Sequence, residues 1–266
     1  MIKVNEQFLQ YDENTSLLNL RDAIKPNADI IIYNGFPVPI DQSVHDGDEI
    51  VFIKRGEIPS QEELETLMVS RHSPGVHERV KKSVVGIAGQ GGLGSAVAIA
   101  LARLGIGTLV LADFDIVEPS NLNRQQYFVH QIGQTKVQAI EENIRMINPY
   151  VHTEIHHIKL DEKNVPQVFK DVDILVEAFD RPEMKSMLVN SFFEHFPDRY
   201  MVCASGLAGY GDANLIQSQV FGERLYIVGD RHSAASPGQG LMSPRVGVAA
   251  HHQANKVLQI ILGENQ

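Results

Sequence analysis

Residues 83–95 read SVVGIAGQGGLGS, and this stretch gives the strongest indication of the fold. An apolar, β-branched run leads straight into Gly89, Gly91 and Gly94, and residues 96–104 continue with apolar side chains at helical spacing. A strand, a glycine-rich turn and a helix in this order hold a nucleotide phosphate. The glycines permit a tight turn, close approach of an anion and close packing of helix on strand, and the helix N-terminus adds N–H donors.

A second apolar strand, residues 108–112, ends at Asp113 and Asp115. An acid at this position contacts a ribose hydroxyl in such folds. Gly92 belongs to the same glycine loop, so we expect all of these residues to line one nucleotide site. The pattern predicts an α/β fold of Rossmann type, with a doubly wound, mostly parallel sheet, and a nicotinamide-binding enzyme fits it equally well.

The residues that follow separate a triphosphate site from a nicotinamide site. The run NLNRQ at residues 121–125 supplies Asn121, Arg124 and Gln125, and Lys136 comes shortly after it. Arg124 can make a bidentate contact to phosphate oxygens, and Lys136 can act as a point charge. A NAD-dependent oxidoreductase has no general use for both cations, which makes it the least favoured interpretation.

A third apolar segment, residues 172–179, is typical of a buried parallel strand and ends at Asp180. An acid at the carboxyl end of a central strand lies in the ligand crevice of a doubly wound sheet. Asp180 can also be the N-cap of the helix that follows, and the pattern leaves both roles open.

Residues 83–206 strongly resemble the ThiF/MoeB family, the bacterial relatives of ubiquitin-activating enzymes. The matching residues are Gly89, Gly91, Gly94, Asp113, the run at 121–125, Lys136 and Asp180. The resemblance implies an adenylyltransferase that uses ATP to activate the C-terminal glycine of a small β-grasp sulfur carrier. It also implies that Asp180 holds Mg²⁺ and that Arg124, Lys136 and Asp180 carry the catalysis, while the carboxylate of the carrier is the nucleophile.

Family members also carry an Arg-x-x-Arg element whose arginine reaches the ATP site of a partner subunit. Arg71 fits the first arginine, but Pro74 stands where the second is expected. The resemblance therefore makes Arg71 a candidate ATP contact in a homodimer, and a solvated surface arginine is the alternative.

Residues 1–57 form a separate small unit by their pattern. A hairpin, a helix capped by Thr15 or Ser16, and strands at 30–33 and 50–53 follow the order of a β-grasp fold. This unit resembles ThiS, and that likeness alone points to thiamine (thiazole) biosynthesis. A carrier must end in a free glycine carboxylate, but Gly56 is locked in a peptide bond to Glu57. This unit therefore cannot be the substrate unless it is cut.

The remaining chain divides into a linker with its own helix at 58–82, capped by Ser60, and an ATP-binding adenylyltransferase domain at 83–266. The net charge of −10 makes nucleic acid an improbable partner, because its backbone repels an acidic surface. The absence of a signal pattern and of a long apolar run leads us to expect a cytoplasmic protein with no membrane partner.

Two further features argue against a metal-rich or thiol-based site. Cys203 is the single cysteine, which excludes an internal disulfide and a Cys-rich zinc site, and its apolar strand context favours a buried, inert thiol. His152 and His156 share one strand face and His157 the other, without a third ligand, so we expect no zinc.

The sequence thus predicts ATP-dependent adenylation of a ThiS-like carrier. Two alternatives remain open. One is a non-catalytic nucleotide-binding regulator whose β-grasp unit occupies the groove of the carrier. The other is a family member that activates a carboxylate on a modified tRNA base, against which the acidic net charge counts.

Overall fold

The computed structural model describes residues 1–12 and 14–264. It divides into two compact units, Met1–Pro74 and Gly75–Gln266. The division falls inside the segment 58–82 that the sequence predicts as a linker, so that one helix of this segment belongs to each unit.

The first unit is a five-stranded sheet with two helices in the part of the chain that the structure describes. Its elements are β1 (Ile2–Val4), β2 (Gln7–Leu9), α1 (Leu17–Ile24), β3 (Ile30–Tyr33), β4 (Phe36–Pro37), β5 (Glu49–Ile53) and α2 (Gln61–Val69). The strand order is β2-β1-β5-β3-β4, with β1 and β5 parallel and the other neighbours antiparallel. This is the β-grasp arrangement that the sequence predicts.

Local chemistry accounts for the elements of this unit. Asn5 and Glu6 take the positive φ values that a tight hairpin between β1 and β2 requires. Ser16 caps α1 by accepting a hydrogen bond from the Asn19 N–H, which confirms one of the two predicted caps. Leu17 then packs against the buried strand residues Ile2, Val4, Ile50 and Phe52. Each large apolar side chain buried in this way contributes about 1.5–3 kcal/mol.

The end of the β-grasp unit turns back on itself. Gly56 has a φ of 72°, and the Glu57 N–H donates to the Lys54 carbonyl. The Lys25 ammonium at the end of α1 then pairs with Glu57 at 2.7 Å and with Glu63 at 2.9 Å. One lysine therefore holds the segment that follows β5 against the helix of the same unit.

The second unit is a seven-stranded sheet between two layers of helices, again within the described residues. Its elements are α3 (Val76–Lys82), β6 (Val84–Ala88), α4 (Gly92–Arg103), β7 (Thr108–Asp113), α5 (Lys136–Ile147), β8 (His152–His157), α6 (Val165–Val168), β9 (Ile174–Glu177), α7 (Pro182–His195), β10 (Tyr200–Ala204), β11 (Gln217–Phe221), β12 (Leu225–Gly229) and α8 (Ser243–Ile261).

The order of the strands places a crevice at the carboxyl edge of this sheet. The order is β11-β12-β10-β9-β6-β7-β8, and every pair is parallel except β11 with β12. The chain runs from β6 to β7 on one side, while β9 lies on the other side of β6. This reversal is the switch point where doubly wound sheets bind ligands, and the predicted fold class is confirmed.

The central strands are apolar throughout because helices cover both of their faces. Along β7, Leu109 and Leu111 pack into the core with α4, α5 and α8, whereas Val110 and Ala112 pack into the core with α6 and α7. Such two-sided burial explains why the sequence shows continuous apolar runs rather than alternation. Among the described residues, no helix combines the length and apolar character needed to cross a membrane.

The glycine at the start of α4 holds that helix against the loop before it. A Cβ on Gly94 would lie 1.8 Å from the Gly89 carbonyl oxygen, and the φ of 93° at Gly89 itself requires glycine. By contrast, a Cβ on Gly247 in α8 would meet no atom within 4 Å.

These two helical glycines form a matched test of close packing. Gly94→Ala is expected to lower the free energy of unfolding by about 1–3 kcal/mol or more, because the methyl group overpacks the junction. Gly247→Ala is expected to raise it by about 0.5–1 kcal/mol through helix propensity. Urea denaturation measures both, and equal effects of the two substitutions would contradict this packing constraint.

Candidate active site

The glycine loop between β6 and α4 forms the floor of the site. Gly91 is the N-cap of α4 and offers no side-chain acceptor, so the first N–H groups of the helix remain available to an anion. A Cβ on Gly89 would lie 2.9 Å from the Ala178 carbonyl oxygen. The loop therefore rests directly on the end of β9, and the sequence-predicted glycines come together as expected.

The carboxylate of Asp113 joins the glycine loop to the end of β7. It accepts the Gln90 N–H at 2.6 Å and the Asp115 N–H at 2.7 Å, and the residue is only 9% exposed. Burial raises the pKa of Asp113, while the Lys136 ammonium and the two N–H donors oppose that rise. Asp113 therefore fixes the loop and brings negative charge into the crevice.

Lys136 lies beside these acids at the start of α5. Its ammonium pairs with the Asp115 carboxylate at 2.8 Å, and its side chain is 7% exposed against 47% for Asp115. Its backbone N–H also donates to the Asp115 carbonyl. The cation is thus nearly buried and already paired, with its partner facing solvent.

The segment NLNRQ folds over the other side of the glycine loop. The stem of Arg124 covers Gly92, where a Cβ would lie 3.3 Å from the Arg124 Cγ, and its guanidinium donates to the Asn123 side chain at 2.8 Å. Asn121 is buried and uses its side-chain oxygen to accept the Glu118 N–H at 3.0 Å. Gln125 is also buried, and within the described residues its Oε1 has no hydrogen-bond partner.

Asp180 lies exposed in the turn between β9 and α7. Helix α7 begins at Pro182 with Arg181 as its N-cap, so the interpretation of Asp180 as the helix cap is wrong. No hydrogen bond or ion pair occupies the Asp180 carboxylate in the described part of the chain. This exposed carboxylate is therefore available to a ligand.

Two protein families account for most of this chain. The model of the ThiF family matches residues 64–266, and that of the ThiS-like ubiquitin family matches residues 1–56. The chain belongs to the ThiF family. The resemblance that the sequence shows is therefore confirmed, together with the ThiS-like nature of the N-terminal unit.

Several curated relatives of this ThiF-family chain are named as adenylyltransferases, and others as ubiquitin-like modifier-activating enzyme 5. The adenylyltransferase and sulfurtransferase UBA4 of Candida glabrata is 30% identical over 191 residues, which is 70% of this chain and 44% of the relative. The probable adenylyltransferase/sulfurtransferase MoeZ of Mycobacterium tuberculosis is 36% identical over 104 residues, or 39% of this chain and 26% of the relative. The chain thus spans less than half the length of these relatives.

The solved structures show the same fold. The tRNA N6-threonylcarbamoyladenosine dehydratase TcdA of E. coli, in complex with AMP, gives a TM-score of 0.69 at 20% identity and covers 79% of this chain and 99% of its own. Its complex with ATP gives the same TM-score and covers 78% and 98%. At this identity the likeness concerns the fold.

Arg71 belongs to the first unit of this ThiF-family chain. Its side chain is 84% exposed and lies 3.9 Å from the Glu6 carboxylate. A long contact on an exposed arginine contributes little to stability. Its contact with ATP in a partner subunit stays a prediction.

Two buried residues of the site were not predicted from the sequence. Tyr127 is buried and donates its hydroxyl to the Gln90 carbonyl at 2.7 Å, and burial raises its pKa well above the usual value. Glu177 ends β9 as a fully buried carboxylate that pairs with Lys185 of α7 at 2.8 Å. Tyr127 directly follows the RQQ run and Glu177 interrupts an apolar strand, and these were the available signals.

No group of three or more His, Cys, Asp and Glu side chains in residues 1–12 and 14–264 could hold a metal ion. A single exposed carboxylate still suits Mg²⁺, because this ion is usually bound by one or two carboxylates, phosphate oxygens and water. Asp180 therefore fits a metal that arrives with a phosphate ligand.

Cys203 lies inside β10, and burial followed by the nearby Glu177 carboxylate raises the pKa of its thiol well above the usual value. We expect the native protein to resist alkylation by iodoacetamide at neutral pH, because the reactive thiolate is suppressed. Mass spectrometry of native and urea-unfolded samples provides the measurement and its control. Rapid alkylation of the native protein would contradict the inert assignment.

Proposed function

We propose that this chain is an ATP-dependent adenylyltransferase that activates the C-terminal glycine of a separate ThiS-like carrier protein. Residues 83–266 supply the catalytic domain. Pyrophosphate and a carrier acyl adenylate are the products. The thiamine (thiazole) pathway is the proposed setting, on the strength of the ThiS-like unit at residues 1–56.

The observation that carries this proposal is the convergence of two cations on the glycine loop. The stem of Arg124 covers Gly92. Lys136 pairs with the Asp115 carboxylate, and the Asp113 carboxylate accepts both the Asp115 N–H and the Gln90 N–H of the loop. Two cations and a helix N-terminus match the charge of a triphosphate better than that of a dinucleotide. Membership of the ThiF family and the adenylyltransferase names of its relatives support the same chemistry.

The proposed reaction needs no nucleophile from this chain. An oxygen of the carrier carboxylate attacks the α-phosphorus of ATP and forms a new P–O bond. The bond from that phosphorus to the oxygen shared with the β-phosphate breaks, and pyrophosphate leaves with the electron pair. Arg124 and Lys136 stabilise the charge that develops on the phosphate oxygens, which is the main catalytic contribution in such a transfer.

The remaining site residues bind and orient the nucleotide. Asp113 and Asp115 face the ribose, and the N–H groups around Gly91 and Gly92 face the phosphates. Gln125 supports the proposal because its buried Oε1 is an acceptor that receives no hydrogen bond in the described structure. Mg²⁺, when bound at Asp180, would neutralise phosphate charge. Arg71 of a second copy in a homodimer completes the proposed site.

The fused β-grasp unit is not the proposed substrate. Its tail turns back at Gly56 and is held to α1 by the two ion pairs of Lys25, whereas a substrate tail must extend into a narrow crevice. The chain also continues past Gly56, so no carboxylate is available there. The carrier must therefore come from another polypeptide.

The test is pyrophosphate exchange into labelled ATP. The protein alone should give no exchange above background, and a ThiS-like carrier with a free Gly-Gly terminus should start it. A carrier that lacks its last glycine is the control. Exchange with threonylcarbamoyl-modified tRNA instead would establish the tRNA alternative, and ATP binding without exchange with either partner would establish the regulator.

Lys136→Ala should lower the exchange rate on the order of 10²-fold or more, because one charged contact to the phosphates is lost. The melting temperature should also fall, because a nearly buried side chain is lost and the Lys136 charge no longer favours ionised Asp113, but the protein should stay folded at the assay temperature since Asp115 is 47% exposed and can be hydrated. The surface substitution Lys170→Ala is the matched control and should change neither quantity. Near-wild-type turnover of Lys136→Ala would remove Lys136 from the site.

Asp180→Asn should reduce the dependence of ATP binding on Mg²⁺, since the amide keeps the size of the side chain but loses the charge that binds the metal. The exposed position predicts little change in folding stability. Isothermal titration of ATP with and without Mg²⁺ measures the effect. If the gain in affinity from Mg²⁺ is the same in both proteins, Asp180 does not hold the metal.

A further inference from the structure

Glu177 is a fully buried carboxylate whose contacts go to three separate elements. Its Oε1 accepts the Phe179 N–H at 2.6 Å, directly beyond the end of β9. Its Oε2 accepts the Ala204 N–H of β10 at 3.3 Å. Both oxygens also accept from the Lys185 ammonium of α7, at 2.8 and 2.9 Å.

Lys185 completes this arrangement from the helix side. It lies in the first turns of α7, and its ammonium donates to the Ala204 carbonyl at 3.0 Å as well as to Glu177. The ammonium thus donates hydrogen bonds to the last residues of two parallel strands, β9 and β10. Glu177 is fully buried and Lys185 is 25% exposed, and a charge pair of this kind with every group satisfied adds little net stability, so its main physical effect is to specify geometry.

The two residues enclose the turn that carries Asp180. Glu177 fixes the N–H of the residue before Asp180, and Lys185 fixes the helix that begins two residues after it. The same turn packs on the glycine loop, because Gly89 approaches the Ala178 carbonyl. Asp180 is therefore the exposed residue of a turn whose two ends are both fixed by the Glu177 carboxylate, directly at Phe179 and through Lys185 at α7.

We infer that Glu177 and Lys185 are positioning residues that set the backbone of Asp180 for Mg²⁺ brought in with ATP. The inference rests on the proposed function and extends it to two side chains that touch neither metal nor nucleotide. Outer partners that orient a metal ligand commonly change metal affinity by roughly 10–100-fold when they are lost. Free rotation of the turn would lower the chance that the carboxylate faces the phosphates.

The decisive variant is Glu177→Gln with Lys185→Gln, which removes both charges together and leaves no lone buried ion. Titration calorimetry of ATP with and without Mg²⁺ gives the gain in affinity due to the metal. This gain should fall roughly tenfold in the double variant, while ATP binding without Mg²⁺ stays within about twofold, as for a side chain distant from the nucleotide.

Two further variants separate positioning from folding. Ser191→Ala removes the bond from the Ser191 hydroxyl to the Glu162 carbonyl, farther along the same helix, and should lower the melting temperature without changing the gain from Mg²⁺. Glu177→Asp keeps the ion pair with a shorter side chain and remains informative if the double variant does not fold. It should lose part of the gain because the shorter carboxylate withdraws from the Phe179 N–H.

The outcomes separate failure of the positioning role from failure of the proposed adenylyltransferase function. The positioning role is overturned if Asp180→Asn loses the gain in affinity from Mg²⁺ while the folded double variant or Glu177→Asp keeps it. That result leaves the proposed reaction intact. Absence of pyrophosphate exchange by the wild-type protein with every carrier instead overturns the proposed function. A reduced gain in the Glu177 variants with an unchanged gain in Ser191→Ala supports the inference.

Discussion

The carboxylate of Asp113 is the interaction on which the rest of the site depends. It accepts N–H groups from Gln90 and Asp115, and so ties the loop after β6 to the loop after β7 across the switch point of the sheet. Burial opposes its negative charge, and the structure compensates with backbone donors and the Lys136 ammonium. Asp113 therefore joins the two loops through its own oxygens, while the Lys136 ammonium that pairs with Asp115 favours its charged form from a distance.

Much of this architecture follows from local sequence. The glycines at 89, 91 and 94 have steric reasons to be glycine, and the apolar runs of the central strands reflect burial on both faces. Short-range rules of this kind depend only on neighbouring residues. They are sufficient to predict the Rossmann-type domain and the order of elements in the β-grasp unit.

Features that depend on how the end of a strand and the following helix are oriented in three dimensions were not predictable in this way. Glu177 and Lys185 meet because the end of β9 faces the start of α7. The presence of a glutamate or a lysine in the sequence does not predict this contact. The role of Asp180 as a helix cap was wrong because α7 begins one residue later than that role requires, with Arg181 at the N-cap. The Glu177 carboxylate accepts the Phe179 N–H just before this helix and the Ala204 N–H of β10, and the second contact exists only in the folded chain.

The pairing of Lys136 with Asp115 also has a consequence for selectivity among anions. A lysine that already faces a carboxylate at 2.8 Å presents a weak field to solvent, so a monovalent anion gains little by approaching it. Only a ligand with dense charge can compete with that fixed carboxylate for the ammonium. Chloride and small carboxylates of the surrounding solution are thus poor competitors, and ambient salt should occupy the crevice far less than it would occupy a bare cationic pocket.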